Sequence, residues 1–186
     1  MRWLVSLFFL FSSLTATGQQ DSASYTYRDL LNSTNEIFIS DSISINNNQW
    51  HLNLMDTTVV KNWFPHLLPA TLNNRLKNRN YYLAGKITTN NSFDLVIVLE
   101  EKKKADSSTS QVVYLITNKK DGTYIASLEI VVTGTRKKSN FITSSWLYKD
   151  YSVVQNSKII INQHTIADLK LYRINTTGRF ILSANY

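Results

Sequence analysis

From Tyr81 onward, apolar and polar positions alternate in short runs separated by polar turns, the period-two pattern of β-strands in a meander. In the run 93–100, Phe93, Leu95, Ile97 and Leu99 fall on one face, and Asp94, Val96, Val98 and Glu100 on the other. A strand apolar on nearly both faces belongs in the middle of a sheet that something else covers. The runs 111–118 and 123–133 flank Lys119-Lys120-Asp121-Gly122, a hairpin signal because Gly takes a positive φ at little cost. On the returning strand Tyr124, Ala126, Leu128, Ile130 and Val132 share the expected core face, opposite Ser127 and Glu129. Three further runs, 141–148, 151–154 and 158–162, are divided by Lys149-Asp150 and Asn156-Ser157. A last hairpin, 169–174 with 179–183, turns at Asn175-Thr176-Thr177-Gly178.

Ahead of the meander the pattern changes. Positions 37–45 and 50–55 read as short strands, the second with Trp50, Leu52 and Leu54 on one side. Asp56 is placed to cap a helix starting at Thr57, and the stretch to residue 78, broken by Pro65 and Pro69, holds short helices. Their apolar residues Trp63, Phe64, Leu67, Leu68, Leu72 and Leu76 are the expected cover for one face of the sheet. The expected fold is therefore mainly β: an antiparallel meander of about eight strands, curved or barrel-like, with short helices over one face. Gly122-Thr123-Tyr124-Ile125-Ala126-Ser127 resembles Gly178-Arg179-Phe180-Ile181-Leu182-Ser183, and a true repeat there points instead to propeller-like blades.

Residues 1–18 read as a signal peptide: Arg2 is the positive end, Trp3 to Leu14 the apolar stretch, and Thr15-Ala16-Thr17-Gly18 the small-residue cleavage site. The apolar stretch is too short to span a bilayer. The expectation is an exported bacterial protein, periplasmic or secreted, whose residues 19–186 form one domain, with 19–35 flexible or weakly helical. The chain contains no cysteine, so its core forms without disulfides.

The signal ending in Gly18-Gln19, the pair Tyr81-Tyr82 leading into the meander, and Leu171-Tyr172-Arg173-Ile174-Asn175 ahead of Gly178-Arg179-Phe180 resemble a loose class of small exported proteins of the Bacteroidetes. That resemblance implies the compartment and a β-meander, and no particular activity.

Catalytic patterns are missing from the sequence. It has no Gly-x-Ser-x-Gly elbow, no His-Glu-x-x-His, no phosphate-binding glycine loop and no calcium loop. His51, His66 and His164 are far apart, each without a ligand-spaced carboxylate, so neither a metal nor another cofactor is expected. Asp94 and Glu129 each share a strand face with apolar residues, and His164 lies near Asp168; a small hydrolase with a cavity around Asp94, Glu129 or His164 is the enzymatic alternative. Glu100 and Glu101, followed at once by three lysines, read as solvated ion pairs.

Charge is more specific. The net charge is +7, and alternate connections of a meander lie at one end of the sheet. Lys102, Lys103 and Lys104 from one loop and Arg136, Lys137 and Lys138 from another therefore make a single cationic rim. Such a rim attracts acidic polysaccharide, lipid head groups or an acidic protein, or it serves solubility alone. Nucleic acid is excluded by export and by the lack of aromatics among the basic residues. Trp146, Tyr148 and Tyr151 form a second candidate contact around a turn. The expected function is a non-enzymatic binding module of the envelope or secreted fraction, with a structural subunit of an envelope assembly as a further alternative.

Overall fold

The computed structural model describes residues 26–46, 52–69, 78–89, 91–104, 108–136 and 139–186. The proposed signal peptide, Leu72, Leu76, Lys137 and Lys138 lie outside them. The described chain runs α1 (Tyr27–Asn32), β1 (Ser42–Ile45), β2 (Asn53–Leu54), α2 (Thr57–Trp63) and a 3-10 turn (Pro65–Leu67). There follow β3 (Arg79–Ile87), β4 (Phe93–Lys103), β5 (Thr109–Lys119), β6 (Tyr124–Arg136), β7 (Ser139–Tyr148), β8 (Val153–Ile161), β9 (His164–Ile174) and β10 (Phe180–Asn185).

All the ladders between these strands are antiparallel, and β2 to β10 lie in one sheet in chain order, with β1 added beside β7. The meander is as expected, but the sheet has ten strands rather than eight, and it is an open sheet, neither closed into a barrel nor divided into blades. The two strands beyond eight, at 42–45 and 53–54, fall in the stretches 37–45 and 50–55 read as short strands from sequence, and both join the sheet. Asn156-Ser157 makes no turn: both residues lie inside β8, where they pair with Ser144 and Thr143 on one side and Leu169 and Asp168 on the other. Two polar residues interrupt the apolar pattern there without breaking the ladder, because one looks outward and the other into a groove.

β4 organises the layers. Phe93, Leu95, Ile97 and Leu99 enter one core with Val113, Leu115, Ile130, Leu147 and Val153, so the β7–β8 part of the sheet packs over that face of β4 and β5. Val96 and Val98 enter a second core with Ile116, Tyr81 and Leu83, roofed by Tyr27, Leu30, Val60, Phe64 and Leu67 of the helical segment. The central strand is thus buried on both sides, as its sequence predicts. The roof is fixed by local chemistry. Asp56 accepts a hydrogen bond from the Val59 amide at 2.9 Å, and Thr26 and Asp29 form a reciprocal capping box at the start of α1.

The alternation expected for 124–132 fails in a specific way. Register shifts at Ile125 and Ile130 insert bulges into β6, so Ile125, Ile130 and Val131 all pack into the β4–β7 core, while Tyr124 lies 39% exposed. The two Gly-terminated turns do share a conformation: Gly122 has φ +91° and Gly178 φ +84°, and each amide closes a turn onto the residue three back.

Two substitutions test this frame. Ile97→Ala removes a fully buried side chain and lowers unfolding free energy by about 2–5 kcal/mol in urea titration. Gly122→Ala puts a Cβ 2.7 Å from Tyr27 Cγ and 2.9 Å from the Trp63 ring at positive φ; the expected loss is about 1–3 kcal/mol in the same measurement.

Candidate functional site

The pairing of β6 with β7 stops at Val132↔Thr143. Beyond that point β7 pairs with β1 instead, from Ser145 to Tyr148, and β6 is left with a free edge. Its carbonyls are not left bare: Ser145 Oγ donates to the Ile130 carbonyl at 2.5 Å and Gln155 Nε2 to that of Glu129 at 2.5 Å. Side chains on one face of β7 and β8 thus abut the β6 backbone. On one side of β6 that face supplies Leu147 and Val153 to the core; on the other it lines an open groove of ≈ 870 Å³ together with β4 and β5.

The register lays out the groove wall as a grid. One row starts at Tyr81 of the helix-side core on β3 and runs through the direct pairs Glu100–Val112–Val132–Thr143–Ser157–Asp168 of the groove to β9. The row toward the β4–β5 turn has Arg79, Lys102 and Ser110 on the first three strands and Gly134, Phe141, Ile159 and Ile166 on the last four. An ideal Cβ on Gly134 would lie 2.6 Å from Ser110 Cβ, so these small residues meet in the middle of that row.

Charges in the groove are partly compensated. Arg79 Nη1 pairs with Glu100 Oε1, and Tyr114 donates its hydroxyl to Oε2 of the same carboxylate at 3.1 Å. Glu100 is only 4% exposed, which overturns the expectation of solvated pairs with the following lysines. Glu101 instead accepts from Gln111 at 2.7 Å and Tyr82 at 3.1 Å. Across the groove Lys170 pairs with Asp168 at 2.6 Å, and that hydrogen bond pushes the ammonium pKa up. Lys104 places its ammonium on the Thr135 carbonyl and hydroxyl at 2.5 and 2.6 Å, acceptors that carry no charge. Of the cations that face the groove among the described residues, the ion pairs leave Lys102 and Lys104 without an opposing carboxylate; Lys158, between the groove-facing Ser157 and Ile159 and opposite the exposed Ile142, points to the other sheet face.

The structure brings part of the cationic rim together. Lys102 and Lys104 line the groove, and the Lys104 contact with Thr135 joins the β4–β5 end to the β6–β7 end. Lys102 and Lys103 stand on β4 rather than in a loop, so Lys103 points to the opposite sheet face. Arg136 closes β6, and Lys137 and Lys138 fall outside the described residues. Trp146 and Tyr148 alternate on the outward face of β7, 48% and 37% exposed, whereas Tyr151, at φ +62° in the β7–β8 turn, packs against the core.

The three residues of the hydrolase alternative do not converge. Asp94 pairs with Lys120 beside a separate cavity under α1, Glu129 lines the groove, and His164 is exposed at the start of β9. Among the described residues no three histidine or acidic side chains gather around a possible metal position, and no helix is long and apolar enough to cross a membrane. Arg79, Tyr114 and Lys170 were not singled out from sequence. The only signal for them is strand parity combined with register, which needs the bulges of β6 to be known.

Away from the groove, His66 stacks on Tyr124 with ring centroids 3.7 Å apart, and both its nitrogens are buried without a hydrogen-bond partner. Burial lowers its pKa to about 4.

Two outcomes follow. Glu100→Ala strands the Arg79 charge and is expected to cost about 3 kcal/mol by denaturant titration, while Glu101→Ala costs under about 1 kcal/mol. Because the unfolded His66 takes up a proton near pH 6.5 and the folded one only near pH 4, its contribution to stability falls as pH drops through that window. His66→Phe should flatten the part of the wild-type stability loss between those values, read as the difference between the two pH profiles.

No protein-family model, no curated protein and no solved structure matches this chain.

Proposed function

We propose that the protein is an exported, non-enzymatic binding module, and that its ligand is an anion taken into the groove between β4–β6 and β7–β9. The observation that carries this reading is the pair of cations with no carboxylate opposite them, Lys102 and Lys104, on the wall of one open groove. Four cationic side chains, Arg79, Lys102, Lys104 and Lys170, line it against three acidic ones, and two of those acids are held in ion pairs. A low-dielectric sheet wall beneath such a set focuses positive potential over the groove. Arg136, Lys137 and Lys138 extend the same sign of charge at the β6–β7 turn, as the sequence arranges them. Acidic polysaccharide, lipid head groups and acidic protein segments all present the required charge. The groove contains acids, but the residues named for hydrolysis are dispersed, and binding is the simpler use of its geometry.

The full chain is tested beside Lys102→Gln/Lys104→Gln for retention of polyuronate, polyphosphate and anionic vesicles at low and physiological salt. Wild type should bind at least one of them, with affinity falling as salt rises, and the double variant should bind it at least about tenfold more weakly. Equal binding by both proteins would sink the proposal. Trp146→Ala, on the outward face, should leave that affinity unchanged.

A further inference from the structure

The row of the groove nearest the β4–β5 turn is polarised along its length. At one end Arg79 and Lys102 are direct cross-strand partners, two cations side by side. In the middle of this row Ser110 and Gly134 are small and leave the floor low. At the other end Phe141, Ile159 and Ile166 are consecutive partners on β7, β8 and β9 and form an apolar platform, with Ile166 57% exposed. From Lys102 to Phe141 is three strand spacings, about 14 Å along the sheet. Lys104 adds its ammonium at Thr135, next to the Gly134 that pairs with Phe141, so positive charge also stands at the edge of the platform.

The next row decides what kind of anion suits this wall. Directly beside the platform lie Thr143, Ser157 and Asp168, again consecutive partners, with the Thr143 and Ser157 hydroxyls 3.1 Å apart. An acyl chain laid on the platform would strip water from these groups and offer them nothing in return, which is costly for each polar group. A polyphosphate would satisfy the cations and leave the platform uncovered. A sugar ring has both parts: an apolar C–H face for Phe141, Ile159 and Ile166, and equatorial hydroxyls for the polar row beside them. With a carboxylate on the ring or on the next one, the ligand also meets Lys102 and Lys104.

We infer that the groove takes a carboxylated saccharide of more than one ring, one ring seated on the Phe141–Ile159–Ile166 platform and its acidic groups toward Lys102 and Lys104. This rests on the anion-binding reading and narrows it to one ligand class.

The test is calorimetric titration of the full chain with oligogalacturonate, oligoalginate and hyaluronan fragments. The controls are the methyl ester of oligogalacturonate, polyphosphate of matched charge, and phosphatidylglycerol vesicles. Expected is binding of at least one acidic oligosaccharide, at least about tenfold tighter than polyphosphate or vesicles. If oligogalacturonate binds, its methyl ester should bind at least about tenfold more weakly. Ile166→Ser, at an exposed position that spares the core, should weaken the saccharide by about tenfold and leave polyphosphate unaffected. Lys102→Gln should weaken both. If polyphosphate or vesicles bind as well as every saccharide, or Ile166→Ser changes nothing, the saccharide inference is overturned while anion binding stands. If no anion binds, both readings fall together.

Discussion

The point at which β6 and β7 part company is the constraint on which the rest of the molecule depends. A continuous ladder would leave one flat sheet with a single covered face. Ending it at Val132↔Thr143 lets the second half of the sheet turn its side chains onto the free β6 edge. The divergence is tolerable only because the exposed backbone is satisfied: Ser145 and Gln155, 0% and 7% exposed, donate to the Ile130 and Glu129 carbonyls. The bulge at Ile130 bends β6 at the same place, so register, bend and side-chain capping act together. One face of β7 and β8 can then close a core at one end and line a groove at the other.

That arrangement explains which parts were legible in the sequence. Strand β4 was readable because its two faces are apolar in strict alternation, and α2 because Asp56 stands one residue before Thr57. The Gly122 and Gly178 turns were readable from residue type alone, since each needs a positive φ. Bulges leave no such mark. Tyr124 and Ile130 sit at expected core positions in a regular strand, and only the register shifts send the tyrosine to His66 and pack Ile130 beside Val131. β8 was divided at Asn156-Ser157 because polar residues inside a strand look like a turn when the groove that receives Ser157 is not yet known.

The candidate site was legible only in outline. Lys102 and Lys104 came from a simple count of connections at one end of a meander, and the structure does bring that end together through Thr135. Lys103 could have been separated from them by parity had β4 been carried to its real end. Glu100 shows the opposite difficulty. Adjacent opposite charges suggested a wet cluster, but its partner is Arg79, 21 residues earlier and one strand away. Pairing between distant segments is set by sheet register, and local sequence contains little of that information.

Strand β4 has a consequence for how the molecule comes apart. Its odd positions belong to the core under β7 and β8, and its even positions to the core under the helices, so no boundary separates the two layers along this strand. Losing the helical roof would expose Val96 and Val98 on the strand whose other side holds Leu95, Ile97 and Leu99 in place. The two cores are therefore coupled through a shared backbone, and the chain should melt as a single cooperative unit, with the amides of β4 among the last to exchange with solvent.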